Sequence, residues 1–231
     1  MTELRLVAPA AEEGPFSAGS PLPRRLPPGR HGIPTTLVAE HQRLRLLAAM
    51  SEALGEYGYA NVTTTHVSEG ANVSTSTFYK HFGNLWDCLL AAYVAAADRL
   101  CAEIEAACVA SREAGPSDIA GECDPLEAGI EAALSFLAAE PELGRLLSAQ
   151  APREASALCA ARRILVSRLA AMLRRTRGSD DGSPQPPGLD ERLIDATLAF
   201  LQARLASDGA EQLADLGPEL AAILGRPRVA A

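Results

Sequence analysis

Lysine is nearly absent from this chain of 231 residues: Lys80 is the only one, against 20 arginines. Aromatic side chains make up 4% of the chain, and β-branched and aromatic runs of the kind that build sheets are missing. With Ala and Leu dominant and 48% of residues apolar, packed helices are expected rather than strands. Long hydrophobic runs are also missing. The longest, "CLLAAYVAAA" at 88–97, is too short to cross a bilayer and ends at Asp98. "MTELRLVAPAAEEG" puts acids where a secretory leader would need a basic and then an apolar stretch. A soluble, cytoplasmic protein with no membrane partner is the expectation. Cysteines stand at 88, 101, 108, 123 and 159, an odd number without CxxC spacing, so neither a disulfide framework nor a zinc site is indicated. The four histidines, at 31, 41, 66 and 81, form no HxxxH or ExxH pair, and GxGxxG, P-loop and GxSxG motifs are absent. That leaves an all-α enzyme little to work with; no catalytic residue, metal or cofactor is expected.

The net charge of −8 is unevenly spread: +1 over residues 1–34, −1 over 35–84 and −8 over 85–231. The acidity therefore belongs to the C-terminal part. The near-neutral 35–84 segment holds three of the four histidines and follows "PRRLPPGR". Such a balance permits a phosphate-facing surface without requiring one.

Composition divides the chain further. Residues 1–34 contain seven of the 16 prolines and no period, and read as a disordered arm whose Arg24, Arg25 and Arg30 are more simply a solvated tail than DNA contacts. From Thr35, apolar residues at helical spacing (Val38, Leu44, Leu46, Leu47, Met50, Ala53, Leu54) predict a first helix ending near Gly58. A short helix from the cap Thr63 to about Gly70, the turn "ANV", and a second short helix from Ser74 to Phe82 follow. Asn84 caps a long helix over about 85–112. "DPLE" (124–127) starts the next with an Asp cap and Pro at the first position. Pro141 and Pro152 mark two more starts, and a helix over about 153–176 carries Arg174, Arg175 and Arg177 near its C-terminal end. Two last helices are expected over about 189–207 and 210–224.

Two of these features carry function. The penultimate helix has one apolar stripe at Leu193, Thr197 and Phe200 and another at Ile194, Leu198, Leu201 and Leu205, wider than one-sided packing needs. A central core helix and a two-fold dimer interface explain that pattern about equally well. The other feature is "VSTSTFYKHF" (73–82). A helix, a tight turn and a second helix make a helix-turn-helix, whose second helix can lie in the DNA major groove with its first residues at the base edges. Small Ser74, Thr75, Ser76 and Thr77 allow close approach of the helix start, where free N–H groups suit a phosphate. Phe78 and Phe82 share an inward face, leaving Tyr79, Lys80 and His81 to donate to phosphate oxygens. An ordinary exposed polar helix face is the plainer alternative.

"YANVTTTHVSEGANVSTSTFYKHFGNLWDCLLAAY" (59–93) resembles the DNA-binding segment of the TetR family of one-component bacterial transcription regulators, at Tyr59, Thr63, Val67, Ala71, Val73, Ser74, Thr77, Phe78, Tyr79, His81, Phe82 and Leu89. The resemblance implies an all-α protein with a DNA-binding domain at 35–84 and an effector-binding and dimerisation domain at 85–231. It implies a double-stranded operator, contacted through Thr63, Thr64, Ser74, Thr75, Ser76, Thr77, Tyr79, Lys80 and His81. It also implies a small-molecule effector, with Trp86, Tyr93, Phe136 and Met172 as cavity candidates, although such residues are more often plain core. A homodimer through the last two helices follows, with Leu193, Ile194, Thr197, Leu198, Leu201, Leu205, Leu213 and Leu220 at its interface. A repressor released by ligand is the mechanism implied. A regulator sensing redox state through Cys101 and Cys108 is the alternative, although burial explains those thiols more simply. Three positions depart from the family pattern. Asn72 replaces a turn glycine but tolerates the left-handed conformation; Leu85 replaces a lysine; His66 stands where a Glu often completes a capping box.

Overall fold

A computed structural model describes residues 35–114, 124–148, 156–177, 186–207 and 212–225. Among these the chain is all helix: α1 (Thr35–Asn61), α2 (Thr64–Gly70), α3 (Thr75–His81), α4 (Leu85–Ala114), α5 (Pro125–Ala139), α6 (Pro141–Ser148), α7 (Ser156–Arg177), α8 (Leu189–Ser207) and α9 (Gly217–Gly225), with a 3-10 turn at Ala214–Leu216 before the last. The all-α expectation is met. The proline-rich arm, the helix start expected at Pro152, Cys123 and the acidic and glycine-rich stretch at 178–185 lie outside the described residues.

Helix starts follow local chemistry. The side chain of Thr63 accepts from the His66 amide at 3.2 Å, that of Ser74 from the Thr77 amide at 3.1 Å, that of Asn84 from the Asp87 amide at 3.0 Å and that of Asp124 from the Leu126 amide at 2.9 Å. Each satisfies an amide that the helix itself cannot pair. The first helix breaks where the sequence indicates, at Gly58, whose φ of 71° and ψ of 170° only glycine adopts without strain; one further turn then continues to Asn61. The final helix departs from expectation. It starts at Gly217 rather than near 210, because Pro218 lacks the amide an interior position needs and is tolerated only in a first turn.

One buried cluster runs through the whole fold, from Leu46 on α1 to Leu224 on α9. Leu46, Ala49, Met50 and Ala53 form the inward stripe of α1, at spacings of three and four. They share that cluster with Val67 of α2, Phe78 of α3 and Cys88 and Leu89 of α4. Seven-residue helices such as α2 and α3 are too short to persist alone, so this packing holds them. Phe78 is fully buried with its ring 5.7 Å from that of Phe82, and truncating so large a core side chain costs about 3–5 kcal/mol. Farther along, α4 packs on α5 and α7, and α7 on α8. The last turn of α7 is fastened to the first of α8: Arg177 donates to Asp190 at 2.8 Å with both side chains nearly buried, and Arg174 reaches Asp190 and Glu191 at 3.3 and 3.2 Å. These arginines thus have carboxylate partners as well as a favourable helix end.

Candidate nucleic-acid interface and interior cavity

The turn between α2 and α3 is tight. Asn72 sits in the left-handed region at φ 50°, the only non-glycine residue to do so among those described, and its amide donates to the Glu69 carbonyl at 2.8 Å. A short polar side chain makes this tolerable. Arg45, on α1, supplies the second constraint. Its guanidinium donates to the Ala71 carbonyl and, at 3.2 Å, to that of Asn72. Sequence reading missed Arg45, because helical periodicity says which face a residue occupies but not which distant carbonyl it meets.

With Phe78 and Phe82 turned inward, α3 presents Thr75, Ser76, Tyr79 and Lys80 to solvent. Their positions, i, i+1, i+4 and i+5, put them on one stripe. Tyr79 is 57% exposed, its ring edge-on to Phe78 at 5.4 Å. Other sequence candidates have structural duties. Thr63 and Ser74 are the caps of α2 and α3, Thr64 is half-buried, and the Ser74 and Thr77 hydroxyls lie 2.9 Å apart. His81 is half-buried, with Nε2 3.3 Å from Gln42 Oε1. Desolvation, and then the nearby charges of Arg43 and Lys80, hold its pKa below the ordinary 6.5. Arg43 lies over the Phe82 ring at 4.6 Å, so a guanidinium, an ammonium and an imidazole gather at the end of α3. The chemistry available there is donation to anionic oxygens, from an otherwise acidic protein. His66, the departure from a capping box, stacks on Tyr57 with centroids 4.0 Å apart.

The C-terminal helices enclose an apolar cavity of about 110 Å³ bordered by α4, α5, α7, α8 and α9. Of the four proposed effector residues only Met172 lines it. Trp86 is 49% exposed at the start of α4. Tyr93 is buried elsewhere, its hydroxyl 3.4 Å from the Leu147 carbonyl, and burial pushes its pKa up to about 12. Phe136 is buried beneath the Arg99 guanidinium, 5.3 Å away.

The cavity also accounts for the wide apolar surface of α8. Ile194, Thr197, Leu198 and Leu201 line it, as does Leu220 of α9. Leu205 and Leu213 are buried in the core, and Leu193 is half-buried against it. The residues assigned from sequence to a dimer interface are thus mostly occupied within one chain. Coverage of α8 on two sides by its own fold accounts for the width of its apolar stripe, which periodicity cannot tell from coverage by a partner. Phe200 alone of the two stripes remains exposed, at 39%.

Burial also governs the thiols. It pushes Cys88 up to about 12 from an ordinary 9.0, and raises Cys101 and Cys108 despite nearby arginines. Among the described residues no group of His, Cys, Asp and Glu could hold a metal ion, and no helix is long and apolar enough to cross a membrane.

Residues 46–92 match the family model described as bacterial regulatory proteins, tetR family. No curated protein matches the chain. Several solved structures share its fold. FadR from Bacillus halodurans, described as a fatty acid degradation regulator, superposes with a TM-score of 0.62 at 19% identity, covering 79% of this chain and 94% of that one. FadR from Bacillus subtilis, solved in complex with stearoyl-CoA, gives 0.60 at 20% identity over 80% and 99%. A tetR family transcription regulator from Shewanella sp. PV-4 gives 0.57 at 18% identity over 79% and 95%. The matched segment spans the second half of α1, α2, the Asn72 turn, α3 and the start of α4, and it is through this segment that the chain is similar to the tetR family of bacterial transcription regulators.

Proposed function

We propose that this regulator is a cytoplasmic, ligand-released repressor that binds a near-palindromic operator as a homodimer. Residues 35–84 serve as the DNA-binding unit and 85–231 as the effector and dimerisation unit. The exposed stripe Thr75, Ser76, Tyr79 and Lys80 on α3, fixed by Phe78 inside and by Arg45 at the turn, carries the reading. Thr75 and Ser76 reach base edges or phosphates, Tyr79 and Lys80 donate to phosphates, and Arg43 and His81 add positive charge beside them.

Support for a dimer comes from the outer faces of α7 and α8. Ile164 is 61% exposed and Phe200 39% exposed on these adjacent helices. Small residues flank each at helical spacing, Ala160 and Ser167 on α7, Ala196 and Ala203 on α8. Large apolar groups exposed among small ones suit a helical face that docks on its two-fold mate. The interface thereby moves outward from the residues expected on sequence.

The effector enters the cavity bordered by α4, α5, α7, α8 and α9. It lowers DNA affinity only by as much as it favours the conformation whose recognition helices no longer fit successive major grooves. The stearoyl-CoA bound by the B. subtilis relative agrees in kind with an apolar cavity in the same fold. Selection of binding sites from random duplexes tests the proposal. Two inverted half-sites are expected; a single asymmetric core, or no enrichment, would contradict it.

A further inference from the structure

Resting on that reading of the cavity as an effector site, we infer that the effector is an amphipathic anion of medium length. The end of its aliphatic chain lies in the apolar cavity and its anionic head sits between Arg112 and Arg175.

The cavity cannot take the head. Its only polar side chains are Thr176 and Thr197, and both hydroxyls are spent on their own helices: Thr176 on the Met172 and Leu173 carbonyls at 3.3 and 2.9 Å, Thr197 on that of Leu193 at 2.9 Å. An ion buried there would have no partner, which a folded interior does not tolerate. A second hollow of about 200 Å³ adjoins the first and shares Cys108, Met172 and Thr176 as its wall. Its remaining lining includes Arg112, Arg175 and Glu105, two guanidiniums against one carboxylate. Glu105 accepts from Arg175 at 3.2 Å with both side chains more than half exposed, a pairing weak enough for a better anion to displace. Arg112 gives one N–H to the Arg175 carbonyl at 3.3 Å, which leaves most of its five donors available. Guanidinium forks suit a carboxylate or phosphate, which accepts two parallel bonds. An apolar pocket therefore opens beside a cationic one between α4 and α7.

Size restricts the tail. An apolar cavity of about 150 Å³ holds a benzene-sized guest of six carbons, so about 110 Å³ takes roughly the last four carbons of a chain whose remaining carbons reach back through the second hollow towards the arginines, and excludes a long acyl chain.

Calorimetry on the full chain tests this, with octanoate, octyl phosphate, 1-octanol and octylammonium below their aggregation limits. At least one anion should bind once per chain, about tenfold or more tighter than octanol, with the ammonium weakest. Replacing both arginines (Arg112→Ala with Arg175→Ala) should bring the anions down to the octanol level and leave octanol unchanged. Ala133→Leu, which fills the cavity and spares the arginines, should weaken every eight-carbon probe. Octanol binding as tightly as both anions, retention of the anion preference in the double variant, or no binding by any probe would overturn the inference. Release of operator DNA is read separately. Anion binding without release supports the inference and contradicts ligand-released repression; release by another compound, in a protein that binds neither anion, contradicts the inference alone.

Discussion

Arg45 of α1 holds the carbonyl of Asn72 at 3.2 Å, across 27 positions of sequence, and Asn72 is the residue whose left-handed φ of 50° turns α2 into α3. Together with its bond to the Ala71 carbonyl, this contact ties the scaffold helix to the corner that aims the candidate recognition helix. Losing it should be felt more in DNA binding than in global stability. Arg45→Ala should destabilise the fold by about 1.5–3 kcal/mol, as for other hydrogen bonds involving charged groups, and weaken operator binding further. Urea unfolding and a DNA titration on the same variant separate the two effects.

Asn72 itself offers a second test with a sign. Asn72→Ala places an ordinary side chain in the left-handed region and should cost about 1–2 kcal/mol. Asn72→Gly removes that strain and should leave stability unchanged or slightly raised. Thermal unfolding of the pair decides whether backbone conformation, rather than side-chain contact, is what the position demands.

Much of this architecture is legible in sequence because its determinants are local. The caps at Thr63, Ser74, Asn84 and Asp124 mark the helix starts, and the Phe78 and Phe82 spacing orients α3. What stays hidden depends on the fold as a whole. The Arg45 bond, the Gln42 partner of His81 and the cavity behind Ile194 and Leu198 join residues far apart in sequence. The late start of α9 was local after all, written in Pro218 and outweighed by the apolar periodicity around it.

Leu201 and Phe200 are neighbours with opposite assignments, the first buried beside the cavity and the second exposed. Phe200→Glu together with Ile164→Glu should give a folded monomer with greatly reduced operator affinity, seen by sedimentation and circular dichroism. Leu201→Glu should unfold the C-terminal helices, since it puts an unpaired charge in an apolar core. A folded monomer from Leu201→Glu would return the interface to the inner stripe.

The buried thiols make a further case. With Cys88 held at about 12 rather than 9.0, its thiolate fraction at neutral pH falls by roughly a thousandfold. Native protein at pH 7.5 should therefore leave Cys88 unmodified by an alkylating reagent, and Cys101 and Cys108, raised by the same cause, should also be slow. Denaturant should expose all three. Prompt native alkylation of Cys101 or Cys108 with loss of DNA binding would favour a redox-sensing regulator.

The central claim is that the exposed stripe of α3 docks on DNA, and the single lysine makes it directly measurable. An amine-acylating reagent can modify Lys80 and the α-amino group but no other side-chain amine. Lys80 acylation is followed by mass spectrometry with and without the selected operator, alongside the salt dependence of binding by wild type and Lys80→Gln. The account predicts protection of Lys80 by operator and weaker binding to all sequences by the variant. Its salt slope should fall by about two per dimer, at roughly 0.9 per phosphate contact. Equal labelling with and without operator, together with unchanged affinity in Lys80→Gln, would place this face of α3 in solvent and contradict the proposed interface.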